Sequence, residues 1–596
     1  MRELESKELS KDANQNPDHI KSLLFGEGFF FSRLPIFISY LLFNLMSLYT
    51  HFKKGLPASV VLGCLICLLT ACQSKKEVDL LVFGARIYSA DSLFTTHEAM
   101  AIQDGKIAAL GSKQSLLATY TAKEIIDAKD QFIYPGFIDA HAHFYGYAQN
   151  LNTVNLFETK SWDEVLVRLD SFSSLHPDGW LLGRGWDQND WPGKQYPTRE
   201  ALNKRFPDRP VLLMRVDGHA AIVNQKALDL AGIGAGTKLV GGQVVLSQGI
   251  PTGLLIDNAV DLVTKIIPNP TPAQEEKLLV QAQANCFATG LTSIHDCGLS
   301  FKTIEALHAL QKKDALQMRI YAMLSDEPAN YAWMEKTGGL QTDFLSVKGF
   351  KVYADGALGS RGACLLAPYH DDPGNRGFLL SDPAHFDSVA ALLYQKGWQM
   401  CTHAIGDSGN RTILNLYAKY LQGKNDRRWR IEHAQVVSPL DLKAFGQYNI
   451  IPSVQPTHAT SDMYWAEERL GPARIAHAYA YQDLLKENNW IPLGTDFPVE
   501  DISPFKTFYA AVVRKDAAGW PKQGFQPAQV LSRKEALWGM TLWAAKAAFE
   551  ESKKGSLEVG KWADFILLSQ DLMTAPENQL LNTNVKATYL NGKKVY

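Results

Sequence analysis

Three strand-like segments of this chain each deliver a metal-ligating type of side chain at their C-terminal end, at intervals that leave few folds open. His403 follows Gln399–Thr402, His433 follows Trp429–Ile431 through Glu432, and Asp496 follows Trp490–Leu493 across Gly494 and Thr495. The separations are 433 − 403 = 30 and 496 − 433 = 63 residues. An eight-fold β/α barrel uses about 31 residues per strand–helix unit and gathers its reactive groups at the C-terminal ends of its strands. The intervals are therefore one unit and two units, which places the three residues on strands 5, 6 and 8 of a (β/α)8 barrel. Amphipathic runs such as Gln274–Thr289 and Ser388–Gly397 lie between strand-like pieces, the alternation expected of parallel α/β architecture.

The run Pro135-Gly-Phe-Ile-Asp-Ala-His-Ala-His-Phe144 supplies the first strand. An apolar segment, Phe132–Ile138, ends in Asp139 and then presents His141 and His143. Residues two apart on a strand point to the same side, so the two imidazoles form a pincer for a divalent metal. Lys351 precedes His403 by 403 − 351 = 52 residues, one unit plus a loop that runs from Gly356 to Gly377. The interval from His143 to Lys351 is 351 − 143 = 208 residues, whereas strand 1 to strand 4 needs only about 93 at the same rate. The excess is read as an insertion after strand 1, at about residues 150–270, forming a lid or pocket wall. On this count His295-Asp296 follows strand 3.

The two ends of the chain share a different texture. Asp79–Phe83, Arg86–Tyr88, Ala99–Ile102 and Lys106–Leu110 read as short strands, with Asp104-Gly105 as a hairpin turn. Phe565–Leu568 and Val585–Tyr596, turning at Asn591-Gly592, repeat the pattern. The expectation is one small β-sandwich built from 78–134 and 531–596, the latter opening on a helix, with the barrel occupying 135–530. Two unrelated β-patches are the alternative.

A length of 596 residues implies more than one domain, and a net charge of −2 without a basic stripe gives no nucleic-acid partner. The cysteines, Cys64, Cys67, Cys72, Cys286, Cys297, Cys364 and Cys401, are too scattered for a disulfide scaffold. Residues 56–71 are almost wholly apolar and follow Lys53 and Lys54, as a secretory signal does. The stretch is shorter than the roughly 20 residues that span a bilayer. Leu69-Thr70-Ala71-Cys72 resembles the lipobox of bacterial lipoproteins. That resemblance implies cleavage before Cys72, lipid on its sulfur, and a location on the bacterial cell envelope outside the cytoplasm. An uncleaved anchor helix is the other reading. Met46 is taken as the start, with 46–72 as the signal and 1–45 as an over-extension, although the apolar Ile36–Leu45 points the other way.

Together, Pro135–His143, Lys351–Arg361, Thr402–Asp407, Arg430–Ala434 and Gly494–Pro498 resemble the amidohydrolase superfamily, in its family-3 branch, which includes N-substituted formamide deformylases. The resemblance covers about Val78 to Tyr596. It implies a distorted (β/α)8 barrel, and one or two divalent ions, zinc in the first place, held by His141, His143, His403, His433 and Asp496. Lys351 matches a strand-4 lysine that is carboxylated and bridges two metals in related enzymes; a salt bridge to Asp355 is the plain alternative. The implied reaction is hydrolysis of a non-peptide C–N bond in a small amide, formamide, cyclic amide or N-acyl substrate by metal-activated hydroxide. Asp496 would then accept the water's proton and pass it to the leaving nitrogen. A deaminase of an aminated heterocycle and a non-catalytic, lipid-anchored binding protein are the competing functions. His219, His295, Arg361 and His458 are weaker, substrate-binding candidates, each with a structural role as its alternative. Trp186 and Trp191 are either an apolar wall or packing. Oligomeric state stays open.

Overall fold

The computed structural model describes residues 75–596, apart from residue 269. The apolar segment 56–71 and the Cys72 junction lie outside the described residues. Seven parallel strands build the central sheet: β1 (Phe137–Ala142), β2 (Leu291–Leu299), β3 (Arg319–Ser325), β4 (Leu345–Tyr353), β5 (Gln399–Ala404), β6 (Arg430–His433) and β7 (Ile451–Ser453), in that spatial order. Residues 491–494 take the eighth place. Val454 N donates to the Pro492 carbonyl and Gly494 N to that of Val454, at 3.2 and 3.1 Å. On the other side Ala140 N donates to the Leu493 carbonyl at 3.1 Å. These bonds nearly close the sheet into a barrel.

Every residue of β1 and β5 is buried, as strands covered on both faces must be. The helix Pro383–Lys396 between β4 and β5 shows how the outer layer is encoded. Asp382 caps its start, proline occupies its first turn, and Gly397 ends it in the left-handed conformation. It buries Phe386, Val389, Ala390 and Leu393, spaced at one helical face.

Two sequence expectations shift. Phe132–Pro135 does not continue into the barrel: it pairs with Arg86–Ile87 and with Phe565–Leu568 in another sheet, and the chain changes sheets at Gly136. A side chain at 136 would collide with Thr292, whose hydroxyl would lie 2.3 Å from the added carbon. His141 is thus inside β1, and His143 directly follows it. His295 lies on the second strand of the barrel, not after the third, because β2 pairs directly with β1. All the inserted residues fall between these two strands.

The insertion forms its own six-stranded mixed sheet, in the order Gly242–Ser247, Ile250–Asp257, Ala220–Val223, Val211–Arg215, Leu181–Trp186, Val154–Asn155. Apolar clusters cover both faces. Trp186 and Trp191 are core residues there, with indole nitrogens donating to the Leu213 and Thr159 carbonyls at 2.7 and 2.9 Å.

The third sheet has eight strands and draws on both ends of the described chain. Phe565–Leu568 pairs antiparallel with Phe132–Pro135, which neighbours Lys76–Tyr88. A single core joins Leu80, Val82 and Ile133 to Phe565, Leu567 and Tyr589. The strands are hydrogen-bonded into one mixed sheet.

Candidate metal centre

The C-terminal ends of β1, β4, β5 and β6 and the eighth segment converge on one spot. His141 Nε2, His143 Nε2 and His458 Nε2 stand 3.5, 3.2 and 3.6 Å from Asp496 carboxylate oxygens. Ligand atoms of His141, His433 and Asp496 lie within 4.8 Å of one another. The His433 ring is 4.6 Å from the rings of both His141 and His403. Lys351 Nζ is 3.2 Å from His141 Nε2. The six residues expected as metal ligands therefore meet.

Three of the imidazoles have their orientation set from behind. His141 Nδ1 donates to Glu432 Oε2 at 2.6 Å, His143 Nδ1 to the Cys297 carbonyl at 2.9 Å, and His433 Nδ1 to Gln455 Oε1 at 2.7 Å. A proton held on Nδ1 leaves Nε2 with its lone pair directed inward, the form in which histidine binds metal. Burial and the Lys351 cation press His141 down to about 4, and burial puts His403 and His433 well below the ordinary histidine range, so all three are neutral. Burial raises Asp496, and the imidazoles that face it act against burial, so that its carboxyl lies well below the ordinary carboxylate range: the cluster shares its protons, and the carboxylate is its anionic member.

The centre leaves buried polar atoms without partners. His403 Nε2, His458 Nε2 and Asp496 Oδ1 are enclosed and make no hydrogen bond. Unsatisfied buried acceptors are costly, and neutral imidazoles facing one carboxylate are a donor set suited to zinc-like divalent ions. The residues present fit such an ion.

Lys351 is buried and forms no ion pair among the described residues. Asp355 is not its partner: that carboxylate accepts from the backbone amides of Cys364, Ile405 and Gly406 at 2.8–2.9 Å. His219 reaches the rim from the insertion, its ring 5.0 Å from that of His403 and its Nδ1 2.7 Å from Asp257 Oδ1. His458 stacks on His433 with ring centres 5.8 Å apart. Two other candidates stand elsewhere. His295 is wholly enclosed in the barrel interior, with Nδ1 3.1 Å from Arg430 Nη1. Arg361 is paired with Asp371 at 2.8 Å in the loop after β4.

Sequence reasoning did not assign Glu432, Gln455 or Asp139. Asp139 Oδ1 accepts from the amides of His141 and Thr495, and Oδ2 from the Thr495 hydroxyl at 2.7 Å, tying β1 to the eighth segment. Its signal was present as the acid that ends the apolar run before His141. The side chain of His143 is 28% exposed while that of His141 is 0%, so the centre opens to solvent on the His143 side.

A family model described as the amidohydrolase family matches residues 124–596. The protein LONG AFTER FAR-RED 3 of Arabidopsis thaliana is 32% identical over 537 residues, covering 87% of this chain and 91% of that protein. The N-substituted formamide deformylase of Arthrobacter pascens is 24% identical over 539 residues, covering 86% and 97%. Among solved structures, an uncharacterized metal-dependent hydrolase from Pyrococcus horikoshii OT3 superimposes with a TM-score of 0.69 at 27% identity, covering 84% of this chain and 99% of that one.

Proposed function

The chain belongs to the amidohydrolase family, and from that premise we propose that it hydrolyses a carbon–nitrogen bond, other than a peptide bond, in a small amide, formamide, cyclic amide or N-acyl compound. The observation that carries this reading is the convergence of four imidazoles, Asp496 and a buried, unpaired Lys351 at the strand ends. The likeness to a formamide deformylase supports the bond type. We take the ion to be zinc, one or two per chain, with Lys351 carboxylated where two are bound.

His141, His143, His403, His433 and Asp496 would hold a divalent ion, which would supply Lewis acidity for the carbonyl and for water at neutral pH. The chain's own contribution is to proton transfer. Asp496 Oδ1 faces His141 and His143, while Oδ2 faces His458. That distal oxygen takes a proton from the attacking water as the new C–O bond forms. It returns the proton to the leaving nitrogen as the C–N bond breaks, giving an acid and an amine.

Removing metal with a chelator is expected to abolish hydrolysis across an amide panel, and zinc to restore it. Metal analysis should give a ratio that falls in Lys351→Met. A purified chain with no bound metal and no metal-dependent turnover would overturn the reading.

The Leu69–Cys72 junction supports a second proposal, that lipid on Cys72 holds the protein to the bacterial envelope outside the cytoplasm. Two or more acyl chains are needed for stable anchoring, at about 0.8 kcal/mol per buried methylene. Cys72→Ala expressed in a bacterial host should lose label from radioactive palmitate; unchanged labelling would refute the anchor.

A further inference from the structure

The insertion places one more charged group beside the backbone that carries His219, and the hydrolytic scheme makes no use of it. Arg184 lies near the C-terminal end of the strand Leu181–Trp186. Its Nη2 donates to the Val216 carbonyl at 3.1 Å. The guanidinium lies against Gly218, where an added methyl group would stand 3.4 and 3.5 Å from its two terminal nitrogens. The next residue is His219, whose ring contacts that of His403. Arg184 thus lies against the residue that precedes His219, whose ring is 5.0 Å from that of His403.

Arg184 differs from other arginines of the insertion and the loops in having no counter-ion among the described residues. Asp217, two residues before His219, is committed to Arg215 Nη1 at 2.5 Å and to the His219 amide at 3.0 Å. Arg361 and Arg469 share Asp371. Arg184 enters no ion pair among the described residues, and its Nε is enclosed without a hydrogen-bond partner. Burial lowers its proton affinity, and Asp496 and Asp217 are the carboxylates that act against this from a distance. The side chain is half-buried, and a guanidinium partly withdrawn from water without an anion leaves that loss of solvation uncompensated. Its fork matches a carboxylate in bidentate fashion.

We propose that Arg184 anchors a carboxylate of the substrate, so that the compound cleaved is an amide bearing a free carboxylate group. The proposal rests on the hydrolase reading above and narrows its substrate class. The insertion then selects the substrate by charge while the barrel performs the hydrolysis.

The test uses matched probes that differ only in the carboxylate: N-formyl derivatives of glycine, leucine and phenylalanine, each beside the N-formyl derivative of its decarboxylated amine. Binding to the full zinc-loaded chain is measured by calorimetry, and hydrolysis separately. At least one acid is expected to bind tenfold or more tightly than its amine partner. Arg184→Met should erase that difference and leave the affinity for the amine unchanged, with Arg184→Lys in between. Arg209→Met, an insertion arginine bonded to the Gly179 and Asp178 carbonyls, should change neither. Equal affinity for acids and amines, a preference that survives Arg184→Met, or an equal fall for both probes overturns the anion site. A charge preference that depends on Arg184 without turnover of any probe overturns the hydrolase reading instead.

Discussion

Three of the imidazoles at the centre, those of His141, His143 and His433, depend on the atom behind them. Glu432 is the strongest of these supports: burial would raise its carboxyl, but His141, Arg430 and Lys351 hold it down to about 2, so it faces His141 as an anion. Glu432→Gln keeps the shape and removes the charge. It should weaken metal affinity about 10- to 100-fold, measured by competition against a chelator; unchanged affinity would show that the carboxylate is not needed to orient His141. His433 and Asp496, two of the three residues grouped as a candidate metal site, also occupy left-handed backbone, at φ of 75° and 63°. Such a conformation costs about 1–3 kcal/mol in a residue with a side chain and is held here by bonds such as Asp496 N to the His141 carbonyl at 2.8 Å. The histidines were legible because strand ends recur at a fixed spacing. Glu432 was visible only as the residue between Ile431 and His433. Gln455 carried no signal, since nothing local ties it to a histidine 22 residues earlier.

At the scale of elements, the barrel closes through an irregular segment. Gly494 passes so near β1 that a Cβ there would lie 2.5 Å from His141 N and 2.8 Å from Asp139 Oδ1. Gly494→Ala should therefore destabilise the protein by about 1–3 kcal/mol, the usual effect of overpacking, and lower metal occupancy as well, because Asp496 and His141 are displaced together. Denaturant unfolding of the metal-free chain beside metal analysis of the purified protein tests both; full metal occupancy would show that closure and ligation are uncoupled. The interval count placed His403, His433 and Asp496 on their strands because units 5 to 8 contain no large insertion. It misplaced His295 by one strand because a count shows how many residues are extra, while pairing alone shows between which strands they lie.

At the scale of the molecule, residues remote in sequence lock the barrel to the terminal sheet. Arg319 on β3 meets Asp564 through Nε and Nη2 at 2.6 and 3.0 Å, donates to Asn591 Oδ1 at 2.5 Å, and lies over the Trp562 ring at 3.7 Å. The pair is almost wholly buried. Asp564→Asn leaves the guanidinium unpaired and should reduce stability by about 3–5 kcal/mol without changing the ligand set, read by urea unfolding of the metal-free protein and metal content of the native one. Periodicity and spacing by themselves determined the α/β class and the strand ends on which His403, His433 and Asp496 lie, because each is written locally in a strand, a turn and a count, while the proposed ligand set rested on the family resemblance. Which atoms stand behind the ligands, where the insertion enters, and that Arg184 lacks a counter-ion were decided by tertiary structure alone. Burial and pairing join residues hundreds of positions apart, and no local pattern in the chain records which of them meet.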